Sequence, residues 1–231
     1  MSKKLTLLGM LAIAAAMMLV GAGSGFAAIL TWDGGSVVDN KWSTVANWVG
    51  EPAAGPVAGD TVVFDASSTA RQTTGVLDYL IAGTGITIQI AADTPVDIAF
   101  TVGAALMLAA GTSINMTAAP VNLTIDNGAG SITLAGGGST FNVVNLRTLT
   151  ISEDINGNSL TVTGAGNTSI SGVISNTGGL LKDDVGTLIL SGTNTYTDNT
   201  TINMGTLETS AEDKIPNSSR VSMGISSPDY S

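Results

Sequence analysis

Short runs in which apolar and polar residues alternate at period two recur along the chain. Ile86-Thr87-Ile88-Gln89-Ile90 puts three isoleucines on one face, and Val121-Asn122-Leu123-Thr124-Ile125 repeats the arrangement. Ile132-Thr133-Leu134, Leu149-Thr150-Ile151 and Leu160-Thr161-Val162 are shorter versions of it. Successive side chains of a strand point to opposite faces, so each run predicts a strand with one buried face. Gly111, Asn127-Gly128, Gly136-Gly137-Gly138, Asn156-Gly157 and Gly164 to Gly166 stand between the runs and read as turns. Beyond the N-terminal segment no stretch keeps a 3.6-residue period. The fold class expected is all-β.

Strands at such short spacing are ordinarily read as a sandwich or barrel. Two features favour a right-handed parallel β-helix, a solenoid, with the sandwich as the alternative. The polar positions are mostly Thr, Ser and Asn, which can form ladders between equivalent positions of stacked rungs. The glycine- and asparagine-rich turns are frequent, as a chain that bends repeatedly within each rung requires. At roughly 20 residues per rung, residues 75–207 would make about six or seven rungs. At about 4.8 Å per rung the rod would be on the order of 30 Å long.

The N-terminus has a different pattern. Lys3 and Lys4 precede an apolar run from Leu5 to Val20, followed by small residues and Gly25-Phe26-Ala27-Ala28. This is the three-part plan of a secretory signal peptide, with cleavage expected after Ala27. The run of about 16 apolar residues is short of the roughly 20 that cross a bilayer. The mature chain is expected to have no transmembrane segment. The divisions expected are a signal peptide over 1–27, a tryptophan-containing N-terminal cap over 28–74, solenoid rungs over 75–177, a repeat-like segment over 178–223 and a frayed tail over 224–231.

Composition narrows the chemistry. The 231 residues carry 8 basic and 18 acidic side chains, a net charge of −10, and removal of Lys3 and Lys4 with the leader makes it −12. Neither His nor Cys occurs. Disulfides, thiol nucleophiles, histidine or cysteine zinc sites and Ser-His-Asp triads are therefore excluded. An acidic chain with no basic face would repel a phosphate backbone, so no nucleic-acid partner is expected. With 44% hydrophobic residues the chain is too apolar for disorder by composition.

One later stretch is more specific. It reads Leu181-Lys182-Asp183-Asp184-Val185-Gly186-Thr187-Leu188-Ile189-Leu190-Ser191-Gly192-Thr193-Asn194-Thr195-Tyr196-Thr197-Asp198-Asn199-Thr200-Thr201-Ile202-Asn203-Met204-Gly205-Thr206-Leu207. It resembles the autotransporter-associated β-strand repeat, also called the passenger-associated transport repeat. That pattern runs Lys, Gly-Thr-Leu, Leu-Ser-Gly-x-Asn-Thr-Tyr-Thr, a Gly-Gly-Thr-Thr turn and Gly-Thr-Leu. The resemblance implies a parallel β-helix exported across a bacterial envelope. Trp32-Asp33-Gly34-Gly35, Trp42-Ser43, Asn47-Trp48 and Val62-Val63-Phe64 look like the opening segment that often precedes such repeats. Asp184 stands where the repeat usually has Gly, and Asp198-Asn199 where it has Gly-Gly; both residue types tolerate a left-handed backbone. Simple autotransporters continue into a C-terminal barrel, whereas this sequence stops at Ser231. The expectation is a passenger fragment or another export route.

Three clusters were weighed as sites. Trp32, Trp42 and Trp48 could stack on sugar rings, but are expected to cover the open end of the rod with Phe64. Glu153, Asp154, Asn156 and Asn158 offer alternating oxygen donors, yet lack the glycine and closing glutamate of a calcium loop, and read as a solvated turn. Lys182, Asp183 and Asp184 could be an acid–base set, as in β-helix polysaccharide lyases. They sit inside the structural repeat, and Arg71, Arg147 and Arg220 are scattered. Asn115-Met116-Thr117 and Asn199-Thr200-Thr201 are chance triplets. No catalytic, cofactor-binding or metal-ligating residue is assigned, and no cofactor. The function expected is a non-enzymatic exported stalk at the cell surface, in the outer membrane context or outside the cell. A surface adhesin with a cell-surface or glycan partner is the alternative, and a carbohydrate-active enzyme comes third.

Overall fold

A computed structural model describes residues 27–66, 74–117, 121–126, 130–144, 146–175 and 178–224. The expected leader lies outside the described residues except for Ala27. So do the expected tail except for Gly224, and Arg71 and Asn127-Gly128. The strands in chain order are β1 (Ile29–Trp32), β2 (Thr61–Phe64), β3 (Thr74–Leu77), β4 (Leu80–Ile90), β5 (Val96–Phe100), β6 (Ala105–Leu108), β7 (Gly111–Asn115), β8 (Leu123–Ile125), β9 (Ser131–Leu134) and β10 (Ser139–Asn142). They continue as β11 (Thr148–Ile151), β12 (Asp154–Gly157), β13 (Leu160–Thr163), β14 (Asn167–Ile170), β15 (Leu180–Lys182), β16 (Thr187–Leu190), β17 (Thr200–Ile202), β18 (Thr206–Thr209) and β19 (Val221–Met223). A three-residue 3-10 turn, Val45–Asn47, is the only helical element among the described residues.

Every strand pair is parallel, and strands adjacent in a sheet are separated by others in sequence, so the chain coils as a β-solenoid. One face stacks β1, β2, the second half of β4, β7, β10, β13, β15, β17 and β19. A second stacks β3, β5, β8, β11, β14, β16 and β18, which is about six turns from first to last. A third stacks the first half of β4 with β6, β9 and β12. The bend that carries β4 from the third face to the first lies at Gly83 and Gly85, with φ of 85° and 76°. At Gly85 a methyl would sit 2.5 Å from the Leu108 carbonyl carbon, so both conformation and space require glycine.

Period-two alternation becomes columns of like residues inside the coil. Ile98, Ile125, Ile151, Ile170 and Leu190 are register partners on the second face. Ile81, Leu106, Ile132, Ile155 and Ile174 line up on the third. All ten are buried, and together the columns form one continuous apolar core. Outside, the expected ladders occur at Thr133 to Asn156, 2.8 Å, and Thr201 to Ser222, 3.2 Å, each between register partners.

Rung length changes along the rod. Thr61 pairs with Thr87 and Ile88 with Ile114, 26 residues on in both cases. Leu160 pairs with Leu180 and Leu180 with Thr200, 20 residues on. The expectation of roughly 20 residues therefore fits only the later turns. The later turns are shorter because the third face loses its strand after β12, where a single bridge, Ile155 to Ile174, replaces it.

The two ends differ. Beyond β1 the chain reverses, and Trp48 bridges Trp32 antiparallel, with Asp33 N–H donating to Asn47 O and Val49 N–H to Thr31 O, both 2.9 Å. That occupies the edge of β1 with a strand of opposite sense. At the other end Val221 and Met223 of β19 are 49% and 69% exposed, and Leu207 of β18 is only partly buried.

One core position is chemically mismatched. Thr168 is register partner to Leu149 and Leu188 on the buried face, and its hydroxyl has no hydrogen-bond partner. A buried unsatisfied hydroxyl costs roughly 1–3 kcal/mol. Thr168→Val keeps the shape and removes the hydroxyl, so it should raise stability by about 1 kcal/mol, read as a higher urea midpoint with unchanged slope.

Candidate functional site

The segment from β15 to β18 makes one and a half of the short turns. Alternation puts Leu180 and Lys182 of β15 on the inner side, in line with Leu160 and Val162 of β13. Lys182 is thus a cation at a core position, 1% exposed. Its Nζ donates to Asp183 O at 2.7 Å and Asp184 O at 2.6 Å, with Met204 O of the next turn at 3.5 Å. The ammonium thereby ties its own bend to the one stacked on it. Burial lowers its pKa from the ordinary lysine value, while the charges of Asp184 and then Asp183 pull it back up.

The carbonyls can turn inward because Asp184 is left-handed, φ 64°, as expected for a residue standing in place of glycine. Its carboxylate accepts from Val185 N–H at 2.7 Å. Asp198-Asn199 behaves otherwise. Neither residue has a positive φ; the Asp198 carboxylate accepts from Asn199 N–H at 2.7 Å and holds the bend. A side-chain hydrogen bond there does what a left-handed backbone was expected to do.

Asn194 replaces a strand at the third corner. Its carbonyl oxygen accepts from Ile174 N–H at 2.8 Å and its amide donates to Lys214 O at 2.7 Å, linking the turns before and after. Tyr196 is buried, its hydroxyl 2.5 Å from Thr200 Oγ1, which lies 2.9 Å from Ser219 Oγ. Burial pushes the Tyr196 phenol above its ordinary value. The sequence motif marks both positions but not these roles.

Lys182→Met should cost about 1.5 kcal/mol, since bonds to a charged donor are worth roughly 1.5–3 kcal/mol and removing a buried charge returns part of that. The pH dependence has a definite sign. The folded pKa lies below the unfolded one, so the unfolded chain binds more protons, and wild-type stability from this group rises as pH climbs toward about 10.4. The deficit of Lys182→Met in paired denaturation curves should therefore widen between pH 7 and pH 10.

The other candidates are spread through the structure. Trp32, Trp42 and Trp48 are fully buried. Trp48 meets Trp32 edge-on at 4.9 Å and Trp42 at 5.7 Å, and its Nε1 donates to Trp42 O at 2.9 Å. No ring face is open to a sugar. Glu153 is not in a solvated turn: alternation carries it inward between Ile151 and Ile155, to 2% exposure. Asp154 accepts from Val173 N–H at 2.7 Å, Asn156 accepts from Thr133, and Asn158 donates to Leu134 O at 3.2 Å. These groups bind neighbouring rungs, and no group of three acidic, His or Cys side chains converges among the described residues. Asn115 closes a local turn with Thr117, and exposed Arg147 donates to Leu146 O.

A shallow groove of about 330 Å³ crosses the first face where three turns stack, lined by Ser159, Thr161, Gly179, Asp198, Asn199 and Thr201 among others. Its polar lining is hydroxyl, amide and one carboxylate.

The passenger-associated-transport-repeat family matches residues 180–208, the turn built around Lys182, Asn194 and Tyr196. No curated protein matches the chain, and no solved structure matches it. The repeat and the solenoid together fit a passenger-like structural domain of the autotransporter kind. Among the described residues no helix is long and apolar enough to cross a membrane.

Proposed function

We propose that the chain is a non-enzymatic, exported β-solenoid that serves as a stalk or surface passenger. The observation that carries this reading is the uninterrupted parallel stack, from β1 to β19, with the passenger-type turn within it. Supporting it, the polar groups of that turn are spent on neighbouring turns: Lys182, Asn194 and Asp198 all bond backbone. In a stack of this kind each turn contacts only its neighbours, so stiffness along the axis comes from the ladders themselves. An acidic surface limits nonspecific association of such rods. The N-terminal tryptophan segment acts as the cap that closes one end.

The export reading is tested by protease treatment of intact bacteria producing the full chain: loss of the protein to added protease is expected, and full protection overturns it. The groove on the first face favours one second reading, a glycan-binding surface, because its hydroxyl and amide lining suits sugar hydroxyls. A glycan panel decides between them. Saturable binding abolished by Asp198→Asn in a folded protein would replace the stalk with an adhesin.

A further inference from the structure

Asp60, on the turn into β2, is a carboxylate at 3% exposure. Its Oδ1 accepts from Ala28 N–H and its Oδ2 from Val57 N–H, each at 2.8 Å. No Lys or Arg pairs with it among the described residues. A buried carboxylate held only by neutral amides lacks the countercharge that usually offsets its desolvation. Ala28 is fixed in place from its other side, where its carbonyl accepts from Thr61 N–H at 2.8 Å just before the β1–β2 ladder begins. Ala27, Ala28 and Ile29 are exposed, so the Ala27–Ala28 bond is open to solvent while the Ala28 nitrogen faces a buried acid.

We propose that the Ala27–Ala28 bond is a maturation site and that Asp60 is the receptor for the α-ammonium released there. The proposal rests on the export reading, because the leader ends at this bond. A signal peptidase and water break the C–N bond; the hydroxyl goes to the Ala27 carboxyl group and hydrogen to the Ala28 nitrogen, which takes up a proton from solvent. A neutral amide donor 2.8 Å from Oδ1 becomes a cation in the same place. Cleavage thus converts a hydrogen bond into a partly buried ion pair and locks β1, the first strand of the stack.

An α-ammonium beside a carboxylate has its pKa raised above the ordinary value of about 7.7–8.0. Its stabilisation is complete below that value and is lost as pH rises through the raised one. The groups facing Asp60 are Tyr79, whose phenol donates to Pro56 O at 2.7 Å, and Asp78 beyond it, bonded to Ser43. Burial, with Asp78 and Asp60 adding to it, pushes Tyr79 above its ordinary value, so the phenol stays neutral across this window.

The test uses the full chain exported with its own leader, compared with the Asp60→Asn variant. The expected results are a mature protein whose first residue is Ala28, and an α-amine acylated about tenfold more slowly at pH 7.5 than in Asp60→Asn, as a one-unit rise in pKa requires. Should Asp60→Asn fail to fold, the wild-type α-amine pKa measured by NMR in the folded and urea-unfolded states decides, and equal values overturn the proposal. Equal acylation rates in the two proteins overturn it as well. Export with a start other than Ala28 overturns the site and leaves the passenger reading standing. Retention of an uncleaved leader inside the cell overturns both.

Discussion

Trp48→Ala is expected to cost about 4 kcal/mol, within the 3–5 kcal/mol range for truncating a buried aromatic, and to do so at one end of the rod. Trp48 is fully buried between Trp32 and Trp42 and packs edge-on against both. It also anchors the antiparallel segment that occupies the edge of β1. Losing the indole opens a cavity, removes the 2.9 Å bond to Trp42 O, and lets the reversed segment peel away. The freed edge of β1 is then a template for another chain, so self-association should accompany the lost stability. Urea denaturation measures the first effect and light scattering the second. Hydrogen exchange should show protection lost from β1 and β2 before β11 and later strands, because coupling in a stack is between neighbours. A folded Trp48→Ala protein of unchanged midpoint that had lost sugar binding would instead place the indoles in an adhesive site.

Much of this architecture could be read from residue parity. Wherever apolar residues sat at every second position, as in 86–90 and 149–151, a strand with its apolar side inward followed. Parity also assigns Glu153 and Lys182 to the core, since they share the alternation of Ile151 and Leu180. Their charge argued for solvent, and the geometry of the coil overrode it by offering Lys182 backbone carbonyls. Rung length was not legible, because alternation defines a strand but not how many strands complete a turn. The change from 26 to 20 residues depends on whether a corner is built from a strand such as β12 or from one side chain such as Asn194. Asp60 was equally hidden, because its partner is a main-chain nitrogen 32 residues away and sequence gives no sign of such a pairing.

Gly186→Ala should be the most damaging small substitution, at about 3 kcal/mol, the upper end of the range for overpacking. Its φ is not left-handed, so the requirement for glycine is one of space. A methyl would overlap Gly166 O, lie 2.6 Å from Gly164 O and 3.1 Å from the Ala165 carbonyl carbon. All are main-chain atoms of the turn before, which have no rotamer to escape into. Gly205 of the following turn meets Asp184 O and Gly186 O in the same way, so a glycine column runs down this corner where successive turns touch by backbone. Separating the turns strains the bond from Gly186 N–H to Gly164 O on one side and from Thr206 N–H to Gly186 O on the other, both 3.1 Å. Gly103→Ala is the matched control. Its φ of 82° is left-handed but nothing stands within 4 Å of the added methyl, so it bears only the conformational cost of about 1–2 kcal/mol. Close backbone approach as the organising constraint predicts the larger loss for Gly186→Ala, with exchange protection lost from β16 to β18 and retained in β4 to β9. If Gly103→Ala proves the more harmful, turn conformation governs the stack and the corner contact does not.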